Sequence, residues 1–396
     1  MHPTPNDLAS ERLCAFARAN SPTHVEEALK EGANPNYLSH APTARRTALM
    51  EAVAGGFTEC IRILADASDW RIKSSTGETL LMLAAQAGDS EWVARALPWA
   101  DARERAQNQK TALMLAASGG HARAVELLIP VSDPDARAGE SDRRQNALMM
   151  AARSGRANCA RLLMAVSDQS MTDLSGYTAL MIAIERQQSA CVDLLANAEG
   201  CRLPEGKGFS PLMLAAQTND ASSARAVLAF EDFERRDFRG MTALGVASET
   251  GALEVLKLLW PHSDWRRAGP SGFTALGFAY GRKRFECLDW MASQLPPDEQ
   301  DALWGSIMQG QPPLPPADQI WDWSPQPLTD NDLRKMLPAT AAIRRARLDA
   351  DAMRKAIEEV ASSPRGAEAE EGRGDASKGR SGSAAGESAR RGAQRL

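Results

Sequence analysis

The nucleophilic and metal-binding side chains of this chain do not converge. Its five histidines, His2, His24, His40, His121 and His262, are scattered, and no His/Cys/carboxylate set has metal-ligand spacing. Of the six cysteines, Cys60, Cys159, Cys191 and Cys287 recur thirteen residues after a Thr or Asn, where another copy carries Val255. A position shared with Val reads as a small buried apolar side chain, not a thiolate. Glu205 to Ser210, EGKGFS, looks superficially like a phosphate loop, but it lacks the required spacing and has no preceding strand. There is no serine elbow, kinase signature or carboxylate pair. The expectation is a chain without catalysis, metal or cofactor.

Composition narrows the class further. A hydrophobic fraction of 43% supports a core, and a net charge of −5 argues against general nucleic-acid binding. No window approaches a membrane span, and the first residues, MHPTPNDLASERL, lack the basic and apolar regions of a cleaved signal. Unpaired thiols then predict a reducing, cytoplasmic setting.

The elements come from a repeat. The motif Thr-Ala-Leu-Met begins at Thr47, Thr79, Thr111, Asn146, Thr178 and Ser210, with weaker copies at Thr242 and Thr274. The intervals are 32, 32 and 35 residues, then 32 four times. A fixed period in this range means stacked helical units, each too small to bury its own apolar face. The Thr, Ser or Asn is a helix N-cap. The Leu at the third position points into the stack, and Ala-Ala pairs such as Ala116-Ala117 give a thin, strongly helical face. Gly88, Gly120, Gly155 and Gly251 end the first helix, and a second helix closes on Leu-Leu.

The stretch TALMLAASGGHARAVELL, residues 111–128, resembles the ankyrin repeat, as do its in-phase copies over residues 7 to 295. The resemblance implies an all-α, ankyrin-type solenoid of antiparallel helix pairs. Its loops project outward, and loop tips and first helices form a surface for a protein partner. Three departures stand out. The family's Pro survives only at Pro211, and its His is Met in six copies but Gly245 and Gly277 in two. The turn after the second helix is trimmed to Ser-Asp, as at Ser68-Asp69 and Ser132-Asp133.

The residue before each motif start sits on the projecting finger: Arg46, Glu78, Lys110, Gln145, then Tyr177, Phe209, Met241 and Phe273. The last four read as an apolar stripe that anchors a protein partner, or as rings folded back between fingers. Arg153 and Arg186 on the first helices join them as candidate contacts. So do Arg143 and Arg144, in the loop ARAGESDRRQ that carries the three-residue excess, whose bland reading is a tolerated insertion.

The expected organisation is a capping helix pair and loop over 1–46 and an array of eight units over 47–295. A Pro/Trp-rich strap with short helices follows over 296–337, then a helix over 338–362 and a disordered tail over 363–396. Within the strap a short helix is expected at 297–308, with Trp304, Trp321 and Trp323 covering the last repeat or PPLPP docking an aromatic groove. Ile343, Ala346, Ala350, Met353, Ile357 and Val360 form a short heptad seam. A protein-binding scaffold is therefore the leading reading. The alternatives are an assembly that self-associates through 338–362, and an effector secreted into a host cytosol.

Overall fold

Each first helix starts because a side chain replaces a missing backbone partner. Thr47, Thr79, Thr111, Asn146, Thr178, Ser210, Thr242 and Thr274 each accept the backbone N–H three residues on. In the computed structural model, which describes residues 4–40, 45–203, 208–267 and 273–308, these caps open helices Ala48–Gly55, Leu80–Ala87, Ala112–Gly119, Ala147–Arg153, Ala179–Glu185, Pro211–Thr218, Ala243–Thr250 and Ala275–Gly281. Each turns back into a second helix: Thr58–Ala65, Ser90–Ala96, Ala122–Leu128, Ala157–Met164, Ser189–Leu195, Ala221–Val227, Leu253–Leu259 and Phe285–Ser293. The pair Pro5–Arg18 and Pro22–Lys30 precedes them, and Pro297–Met308 follows. That gives nineteen α-helices and no strand among the described residues.

Helices of seven to nine residues do not hold alone in water, so packing must stabilise them. Each first helix packs on the next first helix, and from Ser90–Ala96 onward each second helix packs on the next second helix. Leu49, Leu81, Leu113, Leu148, Leu180 and Leu212 are buried between them, and so are the Ala pairs. The turn between the helices needs a left-handed residue nine positions after the cap. Gly56, Gly88, Gly120, Gly155 and Gly251 take it, with φ between 68° and 88°. Gln187, Asn219 and Lys283 take it too, at φ near 55°.

The trimmed turn keeps its Asp for a reason. Asp69, Asp101, Asp133, Asp168 and Asp264 each accept the backbone N–H two residues on, closing a local turn without glycine. The residue two beyond that anchor also reaches forward: Asp135 accepts the Asp168 N–H, and Glu234 the Asp264 N–H.

The fingers follow. Within one finger, the Ser74 N–H bonds the Glu78 carbonyl, and Asp173 and Asp237 do the same with Tyr177 and Met241. Between fingers, Ser75, Gln107, Gly139 and Leu174 donate to the carbonyls of Arg45, Thr76, Asn108 and Arg143 at 2.9–3.0 Å. A row of backbone bonds thus runs from finger to finger.

The helix expected at 297–308 is present as Pro297–Met308, and Trp304 is buried. Trp321, Trp323, the 338–362 helix and the tail lie outside the described residues.

Candidate protein-binding surface

The residues that precede the motif do not form one continuous exposed stripe. At the N-terminal end they neutralise one another: Arg46 Nη2 sits 2.7 Å from Glu78 Oε2, and Lys110 Nζ 3.1 Å from Asp142. Gln145 is buried. Its Nε2 donates to Asp173 Oδ2 at 3.3 Å, and its Oε1 accepts from Arg153 Nη1 at 3.3 Å. The fully buried Asp173 carboxylate also accepts the Ser175 and Tyr177 backbone N–H groups, so it anchors the finger.

The aromatic half differs from the expectation in a physically specific way. Tyr177, Phe209 and Phe273 are half-buried, and burial raises the Tyr177 phenol pKa. Met241 is only 4% exposed and is not part of an exposed stripe. The cause lies in the two motif copies that carry Gly for Met. At Gly277 an added Cβ would lie 2.9 Å from Phe273 Cδ1, so the ring occupies the space a side chain would need. At Gly245 the Met241 methyl and the Phe278 ring both approach to 3.7 Å of that point. Phe273 and Phe278 pack at 5.6 Å. What remains is a shallow hollow, open to solvent, whose walls include Trp265, Phe273, Phe278, Arg236 and Arg267.

The candidate arginines fall into one group. Arg143 lies 3.6 Å from Glu185 and 3.9 Å from Asp173, and Arg186 shares Glu185 at 3.7 Å. Arg153 reaches Asp142 at 4.0 Å. Arg144 pairs with Glu140 at 3.0 Å. Arg143 and Arg144 both take φ of 54° in the inserted loop, a conformation that costs roughly 1–2 kcal/mol for a side-chain-bearing residue. Tyr177 belongs to this group, its phenol feeling Glu185 and Arg143.

Two fingertip residues were missed in the sequence. Phe238 is 87% exposed and Leu174 is also exposed, each four residues before a motif Thr. Each follows a buried Asp, Asp173 or Asp237, that ties down the finger backbone. The pattern Asp-apolar-x-Gly, at Asp173–Gly176 and Asp237–Gly240, is the signal that marks them. Beside Phe238, Arg239 bridges Asp237 at 3.1 Å and Glu249 at 3.4 Å.

All six cysteines are buried, and loss of solvation pushes the Cys14 and Cys201 thiols up to about 12 and Cys287 to about 11. Among the described residues no group of three His, Cys, Asp or Glu is placed to hold a metal, and no helix is long and apolar enough to cross a membrane.

No curated protein matches the chain. A family model described as ankyrin repeats (3 copies) matches at residues 13–98, 81–173, 162–237 and 212–301. Most of the chain is thereby covered, including the capped helix pairs and fingers, and the chain belongs to the ankyrin-repeat family.

Proposed function

We propose that the chain is a non-catalytic scaffold that holds a protein partner against its fingers and first helices. Ankyrin repeats are generally protein–protein interaction modules. The observation that carries this reading here is Phe238, almost fully exposed on a finger whose backbone is fixed by the buried Asp237. A rigid, solvated aromatic loses little conformational freedom on binding and gains its whole buried area. Leu174 offers a second anchor at the same finger position, with Tyr177, Phe209 and Phe273 half-buried behind the tips. Arg143, Arg144, Arg153 and Arg186 supply the polar rim that sets register. A reducing cytoplasm suits six buried, unpaired thiols.

The test is affinity capture from native lysate with three baits: the intact chain, Leu174→Ser/Phe238→Ala, and Tyr177→Ala/Phe209→Ala/Phe273→Ala. Equal helicity and melting are confirmed first. A partner held by the intact chain and lost by the fingertip variant supports the reading. A partner retained by both variants overturns it.

A further inference from the structure

Seven large apolar side chains are exposed among the described residues. Leu8 lies in the first helix of the chain, and Leu174 and Phe238 on the fingers. The other four, Trp99, Val131, Val166 and Phe230, occupy one position of the repeat, twenty residues after the motif start. Their separations of 32, 35 and 64 residues are the array's own intervals. Exposed apolar residues scattered singly need no account, but four in register make a row. Each is about half exposed, just past the end of a second helix. Half-buried Leu97, Ile129 and Met164 widen the row, and between repeats Phe233 stacks at 5.1 Å on His262, the next residue in register.

We propose that this row is the contact face of a parallel homodimer, a second copy of the chain seated on it repeat for repeat. Period argues for it first. Stacked helices lie about 10 Å apart, so the row presents a knob at about that interval, and a second copy carries the same interval along its whole length. Extent sets the width required. The four intervals from Trp99 to Phe230 span about 40 Å, so the row must bury its charged flanks as well, a strip about 20 Å wide, to reach the ~800 Å² per partner of a stable interface.

Charge then selects the orientation. Along the direction of each second helix, surface residues fifteen positions after the motif start precede the row, and exposed turn residues twenty-two positions after it follow the row. A two-fold axis along the row lays one flank on the other. Arg62 then meets Asp69, Arg161 meets Asp168, Arg225 meets Asp232 and Lys257 meets Asp264. One match repels, Glu126 with Asp133. Glu126 is held by Arg123 at 2.7 Å, as Arg62 is by Glu59 at 3.4 Å and Lys257 by Glu254 at 2.8 Å, so Arg161 with Asp168 and Arg225 with Asp232 are the matches that carry the choice. An antiparallel two-fold centred on Val166 sets like on like: Arg62 meets Lys257, Glu126 meets Asp193, and Arg161 meets itself. The parallel arrangement is the one the charges favour. It uses the second-helix side of the array and leaves the fingers free, so it is independent of the scaffold reading.

Sedimentation equilibrium of the full chain at micromolar concentration tests this. The expected mass is twice 42.7 kDa. Trp99→Glu/Phe230→Glu is expected to weaken the dimer at least about tenfold with unchanged melting, and Val131→Glu/Val166→Glu serves if the first pair disturbs folding. A monomeric native chain overturns the proposal, and so does a dimer that survives both variants. Orientation is read by Val131→Cys under mild oxidation, since all six native thiols are buried. A disulfide-linked dimer supports the parallel register. Linkage only when Val131→Cys is mixed with Ala198→Cys overturns it.

Discussion

The imidazole of His121 lies over Gly88, one repeat earlier, and would collide with any side chain placed there. From that position its Nε2 is 3.1 Å from the Gln86 carbonyl, at the end of the preceding first helix. The relation recurs. Arg156 covers Gly120 and donates to the Ser118 carbonyl at 3.4 Å, while Arg284 covers Gly251 and donates to Glu249 at 3.1 Å. At two of the three places where the incoming residue is short, Asp220 and Ala252, the covered position carries a side chain, Gln187 or Asn219; at the third, Asp89, it is Gly56, with open space around it. The glycines therefore answer two demands, a left-handed backbone and room for the next repeat.

Gly88→Ala and Gly56→Ala separate those demands. Both positions have φ above 60°, but nothing lies within 4 Å of a Cβ at Gly56. Gly56→Ala is expected to cost about 1 kcal/mol for the backbone alone. Gly88→Ala is expected to cost at least about 1 kcal/mol more, with the excess removed by adding His121→Ala. Urea denaturation of the four variants measures the difference, and equal losses at the two glycines would refute the collision.

The two helical glycines of the last repeats should respond oppositely. Gly245→Ala adds a Cβ whose nearest neighbours are 3.7 Å away, so it is expected to stabilise by about 0.5–1 kcal/mol. Gly277→Ala places its Cβ 2.9 Å from Phe273 and is expected to be neutral or destabilising, with the ring displaced. Thermal melts check the signs, and intrinsic fluorescence reports the aromatic environment.

Glu231 makes stability depend on pH. Burial pushes its carboxyl up to about 7, and its Oε1 has no hydrogen-bond partner among the described residues. The folded chain therefore holds a proton that the unfolded chain releases near 4.5. Stability from this group is full below that value and falls as pH rises through 7. Glu231→Gln is expected to flatten that decline and to raise the melting temperature at pH 8 relative to the native chain. The two should converge near pH 4.5; equal slopes from pH 5 to 8 would remove Glu231 as the cause.

What was legible in the sequence follows the range of the forces involved. Thr47 or Ser210 caps its helix through a hydroxyl and an N–H three residues away, so type and spacing suffice to read it. The period gave the array because every unit must bury the same Leu and Ala face. The fate of Met241 was not legible. It depends on what lies opposite, and Gly245 sets that from the neighbouring helix turn while Phe278 sets it from the next repeat. Phe238 was overlooked because its exposure rests on Asp237, which holds the finger from below. The self-matching row of Trp99, Val131, Val166 and Phe230 needed the structure to show which repeat position stays in water.

The side chain that crosses from one repeat to the preceding one also gives the array a direction in time. A first helix leaves the ribosome with its last carbonyls open, and the group that closes them arrives with the following repeat, as His121 does for Gln86. At the three junctions with such a crossing the first helix is therefore completed by its successor during synthesis, and a chain cut at one of them leaves that helix end to water. A loss from the N-terminal side strands the donor instead, and water then takes the place of the missing carbonyl.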